Sequence, residues 1–393
     1  MPEPLQSRER VLAAMRREPV DYVPCCGAFN PLYPAQRRGH TWGFPWPPEA
    51  ALEEQVACQV EQLGLDALVP VSLAPTLAYW SVGVARLAPG VKARTWREDG
   101  ILHKAYATSA GELHAAIRYN DLWPHGENIP FYDDFNIGHF VEPWIRDAGD
   151  LECWRSLWTL PEPDEVVAAG RESLQRSQAL AGTYGLATIA AAGMGLTGAM
   201  QLFGATELCL AAVDQPELVD AYLEWDHRLS LRAMQVLGLA SVDIVRRNGF
   251  YETADFYSPA MLEHFLGDRL RAEATSARQA GLATTYLAHT GVMPILDHLA
   301  ALPFDSVTGI DIAHPGTDLA RIRDRLAASK ALWTGPSSTH HIWKGAQATR
   351  QAVREVFECL GRRGFILTQC VSSHSIMPWE STLAMIDEWK KLR

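Results

Sequence analysis

The chain has 393 residues, 35 Lys+Arg against 46 Asp+Glu for a formal net charge of −11, and 48% hydrophobic against 21% charged residues. This is the balance of a folded globule with a large core, and it excludes a mainly disordered chain or a chain-wide coiled coil. The negative charge argues against wholesale binding of nucleic acid or an anionic membrane, either of which calls for a basic stripe. No run of about 18 apolar residues predicts a membrane span. Residues 1–6 have neither the basic nor the apolar region of a signal peptide. The seven cysteines are irregularly spaced with no C-x-x-C pair, so a reduced, cytoplasmic protein is the expectation.

In chain order, Ser7 reads as the N-cap of a first helix with Val11, Leu12 and Met15 on one apolar face, closed by Pro19. Residues 22–26 read as a short buried strand. Residues 27–48 hold Pro31, Pro34, Pro45, Pro47 and Pro48 among aromatic residues that include Phe29 and Tyr33. They predict a long loop packed as a lid, and Phe29 and Tyr33 are candidates for lining a substrate pocket. A helix over 49–65 and a strand over 66–70 follow. Between about 80 and 120, short alternating runs punctuated by Pro89-Gly90, Asp99-Gly100 and Ala110-Gly111 predict an inserted β-meander. Residues 121–146 read as a second long aromatic loop, with Trp123, Phe131, Tyr132, Phe135, Phe140 and Trp144.

Beyond 147 the pattern becomes regular. Apolar runs at 184–191, 241–246, 283–288, 305–310, 330–334 and 364–368 predict strands. Amphipathic helices are expected near 198–212, 215–236, 258–280, 293–302, 317–328, 347–361 and 379–392. Strands alternating with helices imply parallel βαβ units. Adding 22–26 and 66–70 makes eight strands, the number of a (β/α)8 TIM barrel. The expectation is an α/β fold, one TIM-barrel domain over 1–393, with the meander at about 80–120 and the aromatic loops near the N-terminal third. No linker or internal repeat divides it.

Barrel chemistry sits where strands end. That rule selects Arg247, Asn248, Tyr251 and Glu252 after one strand, His289 after the next, then Asp311 and His314, then Ser337, Ser338, His340 and His341, and last Gln369, Cys370, Ser373 and His374. Arg246, Arg247 and Asn248 are suited to an anionic part of a substrate, or to ion pairs with neighbouring carboxylates. The glycine-rich 192–198 leads from a strand into a helix. It reads as a tight turn, since it lacks the Lys of a P-loop and the spacing of a dinucleotide fingerprint.

The opening Ser7-Arg8-Glu9-Arg10-Val11-Leu12 … Arg17-Glu18-Pro19-Val20-Asp21-Tyr22-Val23-Pro24 resembles the start of the uroporphyrinogen decarboxylase-like superfamily, in the branch of cobalamin-linked methyltransferases. Tyr257-Ser258-Pro259 before a helix fits that branch, as does a strand ending in His289 with Pro294-Ile295-Leu296 following. So does Phe365-Ile366-Leu367-Thr368-Gln369-Cys370 … Pro378-Trp379-Glu380-Ser381-Thr382-Leu383-Ala384-Met385. The pieces span nearly the whole chain in order. The resemblance implies a zinc ion held by a His-x-Cys pair and a later Cys. His289 matches the His and Cys370 the later Cys, while the middle Cys is absent from His289-Thr290-Gly291. The Arg-rich loop that grips tetrapyrrole carboxylates in the decarboxylases is also absent, since Gly27-Ala28-Phe29-Asn30-Pro31-Leu32-Tyr33 is apolar and aromatic.

The resulting expectation is a zinc-dependent methyltransferase that moves a methyl group from a small methylated donor to a corrinoid protein. The donor is of aryl methyl ether or methylamine type. His289, Cys370 and Glu252 are the candidate metal ligands, with His374, His341 and Asp311 as rivals for the third place. Tyr251 and His374 are the candidates to protonate the leaving heteroatom. Cobalamin would arrive on a partner, because the chain has no Asp-x-His-x-x-Gly module. A homodimer fits this size and class, though no surface stripe marks one. Two alternatives stand beside this reading: a metal-independent decarboxylase of a small carboxylate, using Arg246 or Arg247 with His289 or Asp311, and a non-catalytic barrel that only binds a ligand.

Overall fold

The structure, a computed structural model, describes residues 4–27, 51–73, 82–120, 123, 125–132, 140–370 and 377–393. Phe29, Tyr33 and His374, and with them the first aromatic loop, lie outside the described residues.

Seven parallel strands form one sheet in sequence order: Leu68–Pro70, Ala187–Ala191, Ile244–Asn248, Ala283–Leu287, Ser306–Asp311, Ala331–Gly335 and Phe365–Leu367. The expected strand at 22–26 is reduced to one parallel bridge, Cys25 to Leu367. Its backbone still joins the two edges of the sheet. Cys26 N and Leu367 N bond to Leu367 O and Pro24 O on one side, and Asp66 N bonds to Cys25 O on the other.

The first helix, Ser7–Met15, fills the lower end of the curled sheet. Val11, Ala14 and Met15 pack with Cys26, Ala187, Ile244, Trp333 and Ile366, which come from strands all around it. Ser7 is the first helical residue rather than the cap. Gln6 caps the helix through a reciprocal box with Glu9. Arg10 is buried with it, bonding Asp21 at 2.7 Å and Asp66 at 2.8 Å.

Residues 82–120 build a separate antiparallel sheet. Lys92–Glu98, Ile101–Thr108 and Gly111–Arg118 are joined in turn, and Phe140–Glu142 adds a fourth strand. Asp99-Gly100 makes the first hairpin, with both residues at positive φ. In the second aromatic stretch, Trp123, Phe131, Tyr132 and Trp144 are buried in the main core. Phe131 meets Trp144 and Trp154 at 4.7 Å each, the latter edge-on. These rings pack the core instead of lining an open pocket, because they are flanked by Trp154 and Trp158 from the next helix and strand.

Four expected helices are broken. That of 49–65 runs as Leu52–Ala57 and a π-turn at Cys58–Gln62. That of 198–212 is two, Gly195–Phe203 and Ala205–Asp214, bent by 111° at Gly204, whose φ is +83°. That of 258–280 runs as Pro259–Leu262, a π-turn at Glu263–Gly267, and Asp268–Gln279. That of 293–302 is Met293–Ile295 followed by Leu296–Ala301. Among the described residues no single helix is long and apolar enough to cross a membrane.

Candidate functional site

Strand alternation decides which side chains face the interior. Ile244 belongs to the cluster inside the sheet, so Arg246 and Asn248 share that face. Val245 packs in the outer layer, and Arg247 points the same way, to Glu273 on the helix Asp268–Gln279. By the same rule Ala283, Thr285 and Leu287 lead inward to His289, and Ile366 and Thr368 lead to Cys370.

His289 and Cys370 meet. Cys370 Sγ lies 3.9 Å from His289 Nδ1, and both address one carbonyl. The ring donates from Nδ1 to Gly309 O at 2.8 Å, and the thiol donates to the same oxygen at 2.7 Å. Gly309 can serve both because it sits in an irregular stretch where pairing shifts between Thr308 and Asp311. Its φ is +88°, and a Cβ there would stand 2.6 Å from Leu287 and 3.0 Å from the His289 ring. Cys370 continues the ladder through N–H to Pro336 O and a bridge to Ser337. Burial lowers the proton affinity of His289, and the Arg246 charge acts in the same direction against Gly309 O and Asp311. The ring is therefore neutral near pH 7, with Nδ1–H fixed and Nε2 left as the lone-pair nitrogen.

Asp311 is fully buried at the next strand end. Its Oδ2 accepts from Ser337 Oγ and its Oδ1 from Ala313 N, both at 2.9 Å. Ser337 N donates to His341 Nδ1 at 3.1 Å. Beside His289 the loop after Ile244–Asn248 raises an aromatic corner. Phe250 lies 6.2 Å from the imidazole, Tyr251 stands edge-on to Phe250 at 4.9 Å, and Phe256 stands edge-on to Tyr251 at 5.8 Å.

Glu252 does not join His289 and Cys370. It is fully buried, and Oε1 accepts from Leu196 N at 2.9 Å and Arg247 Nη2 at 3.2 Å, while Oε2 accepts from Tyr286 Oη at 2.5 Å. Burial pushes its carboxyl up, against the pull of Arg247. Arg247 is likewise no surface for substrate. It is 1% exposed and also bonds Glu273 at 2.8 Å and Asn248 O at 2.6 Å. Asn248, on the inner face, is buried with its amide on Met194 Sδ at 3.4 Å. Among the described residues no three His, Cys, Asp or Glu side chains converge as a metal site.

The glycine-rich turn belongs to this ion network. Gly193 and Gly195 have φ of +79° and +50°, and a Cβ on Gly195 would fall 2.3 Å from both Arg247 and Glu252. The helix N-terminus it opens is occupied by the protein's own carboxylates, with Asp226 on Gly195 N at 2.7 Å and Glu252 on Leu196 N. Sequence reasoning singled out Arg247 and Glu252 as strand-end residues, but their partners Glu273, Asp226 and Tyr286 lie on distant segments and carry no local signal. Phe250 and Phe256 were also missed. Their place two and four residues from Asn248 and Glu252 on the same loop is the signal that marks them.

No protein-family model and no curated protein matches the chain. Among solved structures it is similar to a methyltransferase from Methanosarcina mazei, at 17% identity and a TM-score of 0.63 over 98% of this chain and 99% of that one. The likeness is one of fold. A B12-independent methionine synthase from a Shewanella species follows at 11% identity and a TM-score of 0.44, over 88% and 89% of the two chains. The 3-keto-D-glucoside 4-epimerase of E. coli stands at 11% and 0.36, over 59% and 87%. Neither of these looser likenesses carries an argument.

Proposed function

We propose that the chain is a (β/α)8-barrel methyltransferase of the uroporphyrinogen decarboxylase-like type, with Cys25 as the remnant of its first strand. It would move a methyl group from a small methylated donor to a corrinoid protein. The observation that carries this reading is the imidazole of His289 and the thiol of Cys370, 3.9 Å apart on one carbonyl at the strand ends. The full-length fold likeness to a protein described as a methyltransferase supports it.

The donor set suits zinc. A neutral imidazole with Nδ1–H held by a carbonyl presents Nε2, the usual arrangement of a ligating histidine, while the Cys370 thiol stands beside Nδ1 on that same carbonyl and would turn from it to reach an ion on Nε2. His289 and Cys370 would hold the ion, which when bound supplies Lewis acidity toward the donor heteroatom. The remaining work falls to side chains of this chain. Gly309 O fixes the imidazole tautomer, and Phe250, 6.2 Å from the ring, would shield one side of the site. Tyr251 would deliver a proton to the departing heteroatom. His374 is the rival for that task.

Elemental analysis of protein purified without chelator tests this. Zinc equimolar with the chain in wild type, and lost in both Cys370→Ala and His289→Ala, is the expected result. Absence of zinc from wild type, or zinc retained in both variants, overturns it. A second reading has one observation in its favour: Asp311 N bonds to His289 O at 2.9 Å and Arg246 lies in register with Thr285 on the neighbouring strand, a set of groups suited to hold a small carboxylate and protonate the carbanion left when CO2 departs. It requires turnover that survives chelation and needs no partner protein.

A further inference from the structure

The antiparallel sheet ends on a strand with an open edge. Lys92–Glu98 pairs with Ile101–Thr108 on one side and stands last in the sheet order. Every residue of it except Trp96 is exposed, so the strand is uncovered on both faces. The two-residue turn Asp99-Gly100 makes Glu98 and Ile101 a hydrogen-bonded pair. By alternation Lys92, Arg94 and Trp96 also turn their backbone groups to the neighbouring strand. Ala93, Thr95 and Arg97 then point their N–H and C=O groups outward, where no backbone bond among the described residues takes them. Lys92, Arg94, Trp96 and Glu98 share one face of the sheet. Trp96 stacks on His103 at 4.9 Å, and the Arg94 guanidinium lies 4.3 Å over its ring. Neither Lys92 nor Glu98 has an ion-pair partner among the described residues. An exposed edge of this length is a template for another strand.

We infer that this edge pairs with the same edge of a second copy of the chain, antiparallel about a two-fold axis at Thr95. In that register the run Lys92-Ala93-Arg94-Thr95-Trp96-Arg97-Glu98 is complementary to itself. Lys92 meets the partner's Glu98, and Arg94 meets the partner's Trp96. Each contact occurs twice, as a two-fold interface requires, and Thr95 meets the partner's Thr95 on the axis. The outward backbone groups of Ala93, Thr95 and Arg97 fall in the hydrogen-bonded positions of the new seam. The charged and aromatic pairs fall in the non-hydrogen-bonded positions, where side chains on facing strands come closest. Guanidinium against indole is a contact that Arg94 already makes in its own chain. Other registers fit less well. Sliding by two residues one way sets Arg94 against its own copy, and sliding the other way leaves Lys92 outside the seam. A parallel pairing sets each charge against its like. The outcome is one continuous sheet built from the four-stranded sheets of two copies.

The inference is independent of methyl transfer and is tested on the full chain. Sedimentation velocity at about 5 and about 200 µM covers the range in which a small strand-to-strand interface associates. Wild type is expected to pass from monomer to dimer, and hydrogen exchange over residues 92–98 to slow at the higher concentration. Lys92→Glu or Glu98→Lys alone sets like charges opposite each other at both ends of the seam and should weaken association by about tenfold or more. An equimolar mixture of the two variants restores opposite charges at both ends, so it should associate within about threefold of wild type. Both positions are exposed, and a thermal melt of each variant checks folding. A wild type that stays monomeric at the higher concentration overturns the inference and leaves the edge to a strand of another protein. So does a dimer that neither single variant weakens, which places the contact elsewhere, and so does a mixture that associates no better than its components.

Discussion

At the scale of single residues, Gly309 is the pivot of the candidate site. Its carbonyl orients both His289 and Cys370, and its φ of +88° is one that L side chains rarely adopt. Gly309→Ala should therefore cost about 1–3 kcal/mol of stability from backbone strain. It should also push the imidazole off its carbonyl, because the new methyl group would stand 3.0 Å from the ring. Zinc content and denaturant midpoint measured together test this. A variant that keeps wild-type zinc at reduced stability would show that the carbonyl does not position the ligands. His289 itself carries a pH signature. Burial lowers its pKa, so between that value and the ordinary one of about 6.5 the unfolded chain binds a proton that the folded chain does not. Its contribution is intact above about pH 6.5 and is lost as pH falls. Chelator-treated wild type should lose more stability between about pH 7 and 5.5 than His289→Gln does, and equal losses would refute the assignment.

At the scale of elements, the buried ion network ties the glycine turn, the loop 249–257 and the helix Asp268–Gln279 together. Arg247 is its central cation, facing Glu252, Glu273 and, more distantly, Asp226, and His227 Nδ1 also pairs with Glu273 at 3.0 Å. Removing it leaves uncompensated buried carboxylates, so Arg247→Leu should cost about 3–5 kcal/mol or prevent folding. Glu252→Gln keeps an oxygen for Leu196 N and Arg247 and turns its amide NH2 to Tyr286 Oη, which can accept, and should cost less. Urea titration of the pair checks the order, and a larger loss from Glu252→Gln would show that the carboxylate charge matters more than the network's pairing. The described residues 123 and 125–132 are loop in backbone, as expected, yet Trp123, Phe131 and Tyr132 belong to the core, as does Trp144. Trp154 is fully buried against Phe131, Tyr132 and Trp158. Trp154→Ala should lower the unfolding free energy by about 3–5 kcal/mol, as read by the same titration.

At the scale of the whole molecule, the sheet closes, among the described residues, through backbone of the Cys25 segment. The helix Ser7–Met15 plugs its lower end, and the candidate site occupies the other, where the strands end. Buried titratable groups pull in opposite directions here. His298 and His341, lowered by burial like His289, favour higher pH. Asp66, Asp226 and Glu252, raised by burial, take up protons at higher pH in the folded chain than in the unfolded one, and that contribution is lost as pH rises through the carboxylate range. The optimum of stability should therefore lie between the carboxylate range and neutrality, and the wild-type and His289→Gln comparison isolates one term from that balance.

The period of the hydrophobic pattern fixed the strand and helix order beyond residue 147, because period-2 runs alternating with amphipathic segments leave few other folds. It located Asp99-Gly100 as a hairpin, since that dipeptide adopts the positive φ the turn demands. It placed His289 and Cys370 at strand ends. It could not say that they meet, because their 81-residue separation is bridged only by the curl of the sheet. It could not distinguish Arg246 from Arg247 either. A strand turns successive side chains to opposite faces, and only the partners across each face show which of the two arginines looks into the barrel and which is spent on buried glutamates. Glu252 read as an open strand-end carboxylate for the same reason. Its fate was set by Tyr286, Arg247 and Leu196 N, groups that share its surroundings only after folding.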